Sequence, residues 1–203
     1  MHPSVNLPCM KLPLTLLFSV LLSTCAPAQT PVNAPTLDEL ETARLNHQRQ
    51  AMLVLGGWAV GNIGLGLALR ERSSGSSRRF HEMNAIWNVV NLGIAGIGYL
   101  TLGEAAPTAL AGWQENQGFQ KILLFNAGLD VGYVLGGLYL MERSRRPDAD
   151  GDRLQGYGRS IILQGGFLFL FDLVNFAIAS GRDDDYAAMF GRVNDGIGLL
   201  LTF

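Results

Sequence analysis

Six amides and two carboxylates interrupt stretches that are otherwise apolar: Asn62 in the first, Asn88 and Asn91 in the second, Asn126 and Asp130 in the third, and Gln164, Asp172 and Asn175 in the fourth. A hydrocarbon core offers no water to polar groups, so side chains of this kind at similar depth turn toward one another. Two chemistries are open to such a layer. Asp130 and Asp172 can exchange a proton or bind a small cation while the amides supply oxygens. Alternatively, amides and protonated acids hydrogen-bond across helices, at about 0.6–2 kcal/mol a contact, and only fix which helices pair. An ionised carboxylate at mid-membrane costs about 2.5–3.5 kcal/mol on insertion scales. The four stretches contain no Lys, Arg or His as counter-ion, so each aspartate is expected to be protonated, or bound to a cation or to amides.

The elements that must position these residues are four apolar stretches, 51–69, 85–102, 122–141 and 161–180. Each is close to the roughly 20 helical residues that cross a core of about 30 Å. Only 16% of the chain is charged and its mean hydropathy is +0.21, against about 25% charge in soluble domains. Counted from the stretch ends, Asn62, Asn91, Asp130 and Asp172 fall near the four midpoints, which predicts that they meet at mid-membrane. Helical spacing supports this: His81, Asn84, Asn88, Asn91, Ala95 and Gly98 form one stripe, Asn126, Asp130, Tyr133 and Gly137 a second, and Gln164, Asp172, Asn175 and Ala179 a third. An outer-membrane barrel is the competing architecture, because residues 125–133 do alternate. Ile161-Ile162-Leu163 and residues 167–171 are continuous apolar runs, more hydrophobic than barrel strands of about ten alternating residues. The expected fold is all-α, a membrane-spanning antiparallel four-helix bundle.

Lys11, an apolar run over residues 12–22 and the small-x-small pattern Ala26-Pro27-Ala28 predict a cleaved signal peptide over residues 1–28. Cys25 as a lipidated residue is the rival, with Thr24 an unusual neighbour for it. Residues 29–46 follow as an extracytoplasmic segment in which Thr36-Leu37-Asp38-Glu39 reads as a capping box. The four-span domain takes residues 47–181, and residues 182–203 form a charged tail whose end, residues 196–203, can pack at the outer surface. Nine of the fifteen basic residues sit in two inter-span loops: Arg70, Arg72, Arg78 and Arg79, then Arg143, Arg145, Arg146, Arg153 and Arg159. The loop over residues 103–118 has none and carries Glu104 and Glu115. The positive-inside bias therefore places both termini outside the cytoplasm of a bacterial inner membrane. Arg49 and Arg182 run against the trend.

Gly128, Gly132 and Gly136 form a separate ridge on the third helix, where small residues let backbones approach. It is expected to pack against a helix of the same chain, or against a second copy or another membrane protein; Gly57 and Gly61 offer the same on the first helix. The lipid bilayer is the other expected partner. A net charge of −2 gives no reason to expect nucleic acid. Both cysteines, Cys9 and Cys25, lie in the signal region, so disulfides and iron–sulfur clusters are not expected of the mature chain. No cofactor or metal is expected either. His47 and His81 sit at span boundaries, badly placed for haem; Lys121, the lysine left after cleavage, is at a span edge, badly placed for retinal; and residues 147–152 lack the later ligands of a calcium loop. Trp58, Trp87 and Trp113 read as lipid or interface anchors. Two membrane aspartates are also the constellation of intramembrane aspartyl hydrolases, but the glycine pattern around Asp130 is incomplete and four spans are few.

The strings Leu55-Gly56-Gly57-Trp58-Ala59-Val60-Gly61-Asn62-Ile63, Phe80-His81-Glu82-Met83-Asn84-Ala85-Ile86-Trp87-Asn88-Val89-Val90-Asn91 and Lys121-Ile122-Leu123-Leu124-Phe125-Asn126-Ala127-Gly128-Leu129-Asp130, with residues 165–175, resemble a family of uncharacterised bacterial four-span membrane proteins. The resemblance covers residues 45–179 and implies a domain of unknown function, so it carries over no catalytic residue. The readings left are proton or small-cation handling, and a scaffold or assembly subunit that uses its polar layer for packing alone.

Overall fold

A computed structural model of the protein describes residues 35–193, with side chains through Phe190; the expected signal peptide and residues 196–203 lie outside the described residues. Four long helices, α1 (Leu37–Arg70), α2 (Gly75–Leu100), α3 (Ala109–Arg143) and α4 (Gly151–Ser180), precede a short α5 (Asp183–Val193). Their ends follow from capping chemistry. Thr36 accepts from the Glu39 N–H while Glu39 Oε2 accepts from the Thr36 N–H, so the expected capping box starts α1 well before its apolar stretch. Thr108 and Asp150 cap α3 and α4 in the same way, accepting from Ala111 and Arg153. These caps start α3 at Ala109 and α4 at Gly151, well before the expected spans at 122 and 161, and leave only short connections. The charged tail begins as α5, because Asp183, Asp184 and Asp185 occupy a helical first turn, where negative charge is favoured.

Each of α1, α3 and the α4–α5 run is long and apolar enough to cross a membrane. α2 is not among them: Arg78, Arg79, His81 and Glu82 occupy its first turns, and Asn84, Asn88 and Asn91 interrupt the rest. It packs along both α1 and α4, and α4 packs along α3, so the order across the bundle is α1, α2, α4, α3. One end collects the arginine-bearing connections after α1 and α3; the other holds the 101–108 connection, Glu104 and α5. We call these the basic and the acidic end.

The bundle has an apolar outside and a partly polar inside. Leu65, Val90, Ile97, Phe125 and Leu170 are each more than 60% exposed, whereas the largest fully buried side chains are Tyr186, Gln164, Glu41, Asn88, Asn116 and Ser160. All six carry polar atoms, an inversion suited to a lipid solvent. The polar stripes on α2 and α4 are buried as their spacing predicts: Asn84, Asn88, Asn91 and Ala95 on one, Gln164, Asp172, Asn175 and Ala179 on the other.

The glycine expectation needs correction. A Cβ on Gly128, Gly132 or Gly136 would meet nothing within 4 Å, and neither would one on Gly57 or Gly61, so these glycines join no helices of the described chain. The close crossing is one residue further, where a Cβ on Gly137 would lie 2.7 Å from the Gly158 carbonyl oxygen and one on Gly158 2.6 Å from that of Gly137. A single residue rotates the helix face by about 100°, which is why the neighbouring ridge points elsewhere. Gly137→Ala must force α3 and α4 apart and is expected to lower stability by about 1–3 kcal/mol. Gly132→Ala should stay within about 0.5 kcal/mol of the native chain. Thermal unfolding in detergent compares the two, and equal melting of both variants would contradict this packing.

Candidate functional site

The eight polar residues do not form one layer. They divide among three levels along the bundle, each built by different helices.

Nearest the basic end is an amide cluster. Asn84 Nδ2 donates to Asn62 Oδ1 at 2.7 Å, Gln164 Nε2 donates to Asn84 Oδ1, and the Trp58 indole N–H donates to Gln164 Oε1 at 2.8 Å. The Asn62 and Asn88 amides donate back to the carbonyl oxygens of Trp58 and Asn84, and Asn91 donates to Asn88 Oδ1. Three helices are tied together with their amide groups engaged. Trp58 is thus an interior donor, stacked on Phe167 at 3.8 Å between centroids, rather than the lipid anchor expected. Replacing Gln164 by Leu removes partners from Trp58 and Asn84 together and should cost about 1–2 kcal/mol in helix association, read as a lowered melting temperature in detergent.

The second level holds the aspartates. Side chains lean toward the N-terminus of their own helix, and α3 and α4 run in opposite directions, so Asp130 leans toward the acidic end and Asp172 toward the basic end. Their carboxyl groups are thereby brought side by side. Asp130 is 2% exposed and Asp172 5%. Among the described residues the buried Asp130 Oδ2 has no hydrogen-bond partner. Two adjacent carboxylates cannot both carry charge in such a place unless something positive joins them. The pair forms the base of a cleft of about 360 Å³ between α2 and α3, also lined by Asn91, Asn126, Trp87 and Tyr133. The Trp87 and Tyr133 rings meet edge to face at 4.8 Å. Toward the acidic end the cleft adjoins a second hollow through Met52, Gly98, Phe119 and Ile122. That hollow reaches the 101–108 connection near Arg44, Glu104 and Glu115.

The third level, at the acidic end, was not foreseen as a site. Glu41 is fully buried and accepts from Arg44, from the Ala106 N–H at 2.8 Å and from the Tyr186 hydroxyl at 2.6 Å. Burial pushes the Glu41 carboxyl up, but hydrogen bonds from Arg44, Tyr186 and Ala106 outweigh it and leave Glu41 more acidic than usual. Arg182 explains its exception to the charge trend: it is buried, donating to Asn116 Oδ1 and to His47 Nδ1. Because Nδ1 accepts from a guanidinium, the His47 proton is on Nε2, which donates to Asn175 Oδ1. Asn175 therefore belongs to this level and not to the aspartates. Burial, then the Arg182 charge, hold His47 below its ordinary value of 6.5, with the Asn175 hydrogen bond opposing. The native state resists protonation here, so the stability His47 contributes is complete above about 6.5 and is lost as pH falls through its lower folded value. His47→Gln should flatten that part of the melting-temperature profile. Asp183 completes the level by accepting from Asn116 and Gln120. The sequence signals for this group were Glu41 and Arg44 three residues apart on one helix and the exceptional Arg182.

A family model described as a family of unknown function (DUF6992) matches residues 54–173. The chain belongs to this family. The DUF6992 match takes in Asn62 through Asp172, hence the amide cluster and the aspartate pair, whereas Glu41, Arg44, His47, Asn175 and Arg182 lie outside it. No curated protein and no solved structure matches the chain.

Proposed function

We propose that this DUF6992 protein is a four-span protein of a bacterial inner membrane, its basic end in the cytoplasm, in which Asp130 and Asp172 handle protons or small cations. The observation that carries this reading is the carboxyl pair itself: buried, side by side, with Asp130 Oδ2 lacking a hydrogen-bond partner among the described residues, and lining a cleft. A carboxyl pair held this way gains or loses one positive charge at a time, because each oxygen stabilises a proton or cation on the other. The amide cluster favours the packing reading for its own residues, since its amides already engage one another. Lock and site are thus assigned to different levels of one bundle. α2 is the fourth span in this reading; its polar stripe is covered by α1 and α4, so lipid meets its apolar residues. Arginine placement supports the orientation, and the signal peptide of residues 1–28 accords with a chain delivered to that membrane.

Reconstitution into liposomes tests the proposal by following proton and monovalent-cation flux. Flux above empty liposomes that disappears in an equally folded Asp130→Asn/Asp172→Asn variant is expected. Native protein that gives no flux would favour a scaffold or assembly subunit.

A further inference from the structure

We propose that the cleft between α2 and α3 binds a lipophilic organic cation, an ammonium or related onium group on an apolar body. The charge would sit against Asp130 and Asp172, and the body along Val90, Ile94 and Leu129. This rests on the carboxyl-pair reading and names the cation class.

Several observations select that class. The carboxyls and the amides of Asn91 and Asn126 stand among walls made chiefly of aliphatic and aromatic carbon, which suit an apolar body better than the water shell of an inorganic cation. Among the described residues no group of three or more His, Cys, Asp or Glu is placed to hold a metal ion. Aromatic rings, Trp87, Tyr133 and Phe171, line the same cleft as the carboxyls, and ring faces attract onium groups that are weakly hydrated. The cleft is also open sideways. α2 and α3 share no extended packing, and its wall residues Val90, Ile94 and Leu129 are 62%, 54% and 42% exposed, so a ligand dissolved in the bilayer can enter without crossing water. Asp130 Oδ2 has no N–H or hydroxyl partner among the described residues, so no protein donor already offsets the carboxyl charge at that oxygen. A cleft of about 360 Å³ is within the size range of small-molecule sites, roughly 300–1,000 Å³.

Equilibrium dialysis of the full protein in detergent micelles with radiolabelled tetraphenylphosphonium tests this, with tetraphenylborate as the anion of matching shape. Saturable binding of the cation alone is expected. It should weaken at least about tenfold in Asp172→Asn, the loss expected for one charge-assisted contact, and by a similar factor in Ile94→Trp, which fills the cleft and leaves both carboxyls in place. Equal binding of the borate, or binding unchanged by Ile94→Trp, would overturn the proposal. Flux dependent on Asp130 and Asp172 without saturable phosphonium binding would defeat this inference and spare the proton reading. Loss of both would defeat the two together.

Discussion

Glu41→Ala lowers the stability of the bundle by roughly 3–5 kcal/mol, the cost of stranding a buried partner charge. Arg44, 3% exposed, would keep its guanidinium in a place built around a carboxylate, and the Ala106 N–H and Tyr186 hydroxyl would lose their acceptor in the same step. The effect should spread beyond α1, because Glu41 joins α1 to the 101–108 connection and to α5. Tyr186→Phe removes one of these hydrogen bonds but leaves the charge pair, and should cost only about 1–2 kcal/mol. The stability that Glu41 contributes is present above its ordinary value of 4.5 and is lost as pH falls through its lower folded value. Thermal unfolding in detergent reads all three effects, with Trp113, whose ring meets Phe190 of α5, as a local fluorophore. A Glu41→Ala protein that melts with the native chain would contradict this account of the acidic end.

Asp172→Asn is expected to lower the proposed ion flux at least about tenfold while shifting stability by less than about 1 kcal/mol. Asparagine has nearly the shape of aspartate, and its amide can donate to Asp130 where a shared proton did, so the fold loses little. It cannot take up and release a proton, so the function loses nearly everything. Gln164→Leu should behave in the opposite sense, with flux per folded molecule preserved and melting lowered. The pair of variants separates site from lock inside one protein. Equal loss of flux in both would mean that the levels act as one unit.

Much of the bundle was legible in the sequence, for reasons that differ by element. Apolar length and period placed the long helices, and Thr36 with Glu39 placed the start of α1. The buried faces of α2 and α4 followed from polar residues three and four apart. The meeting of Asp130 with Asp172 was also foreseeable, but the single layer was not sound. Equal distance from the stretch ends ignores the lean of side chains toward helix N-termini, a turn of displacement in opposite directions on antiparallel helices. That lean brings the aspartates together and leaves Asn62 with Asn84 and Asn175 with His47. Gly136 and Gly137 show the same sensitivity around the axis. The acidic end escaped because Glu41, Arg44 and Asp183 have the composition of a solvated surface, and only tertiary contact with Tyr186, the Glu104 carbonyl, Asn116 and Gln120 reveals their role in packing.

The central claim is that Asp130 and Asp172 form an exchangeable carboxyl pair reached from the bilayer. A lipophilic carbodiimide, which reacts with protonated carboxylic acids, tests it most directly when applied to the membrane-embedded protein and mapped by mass spectrometry. The account predicts a label on Asp130 or Asp172 that is absent from the Asp130→Asn/Asp172→Asn variant. Labelling confined to carboxyls of the connections and α5, with both aspartates untouched, would contradict it.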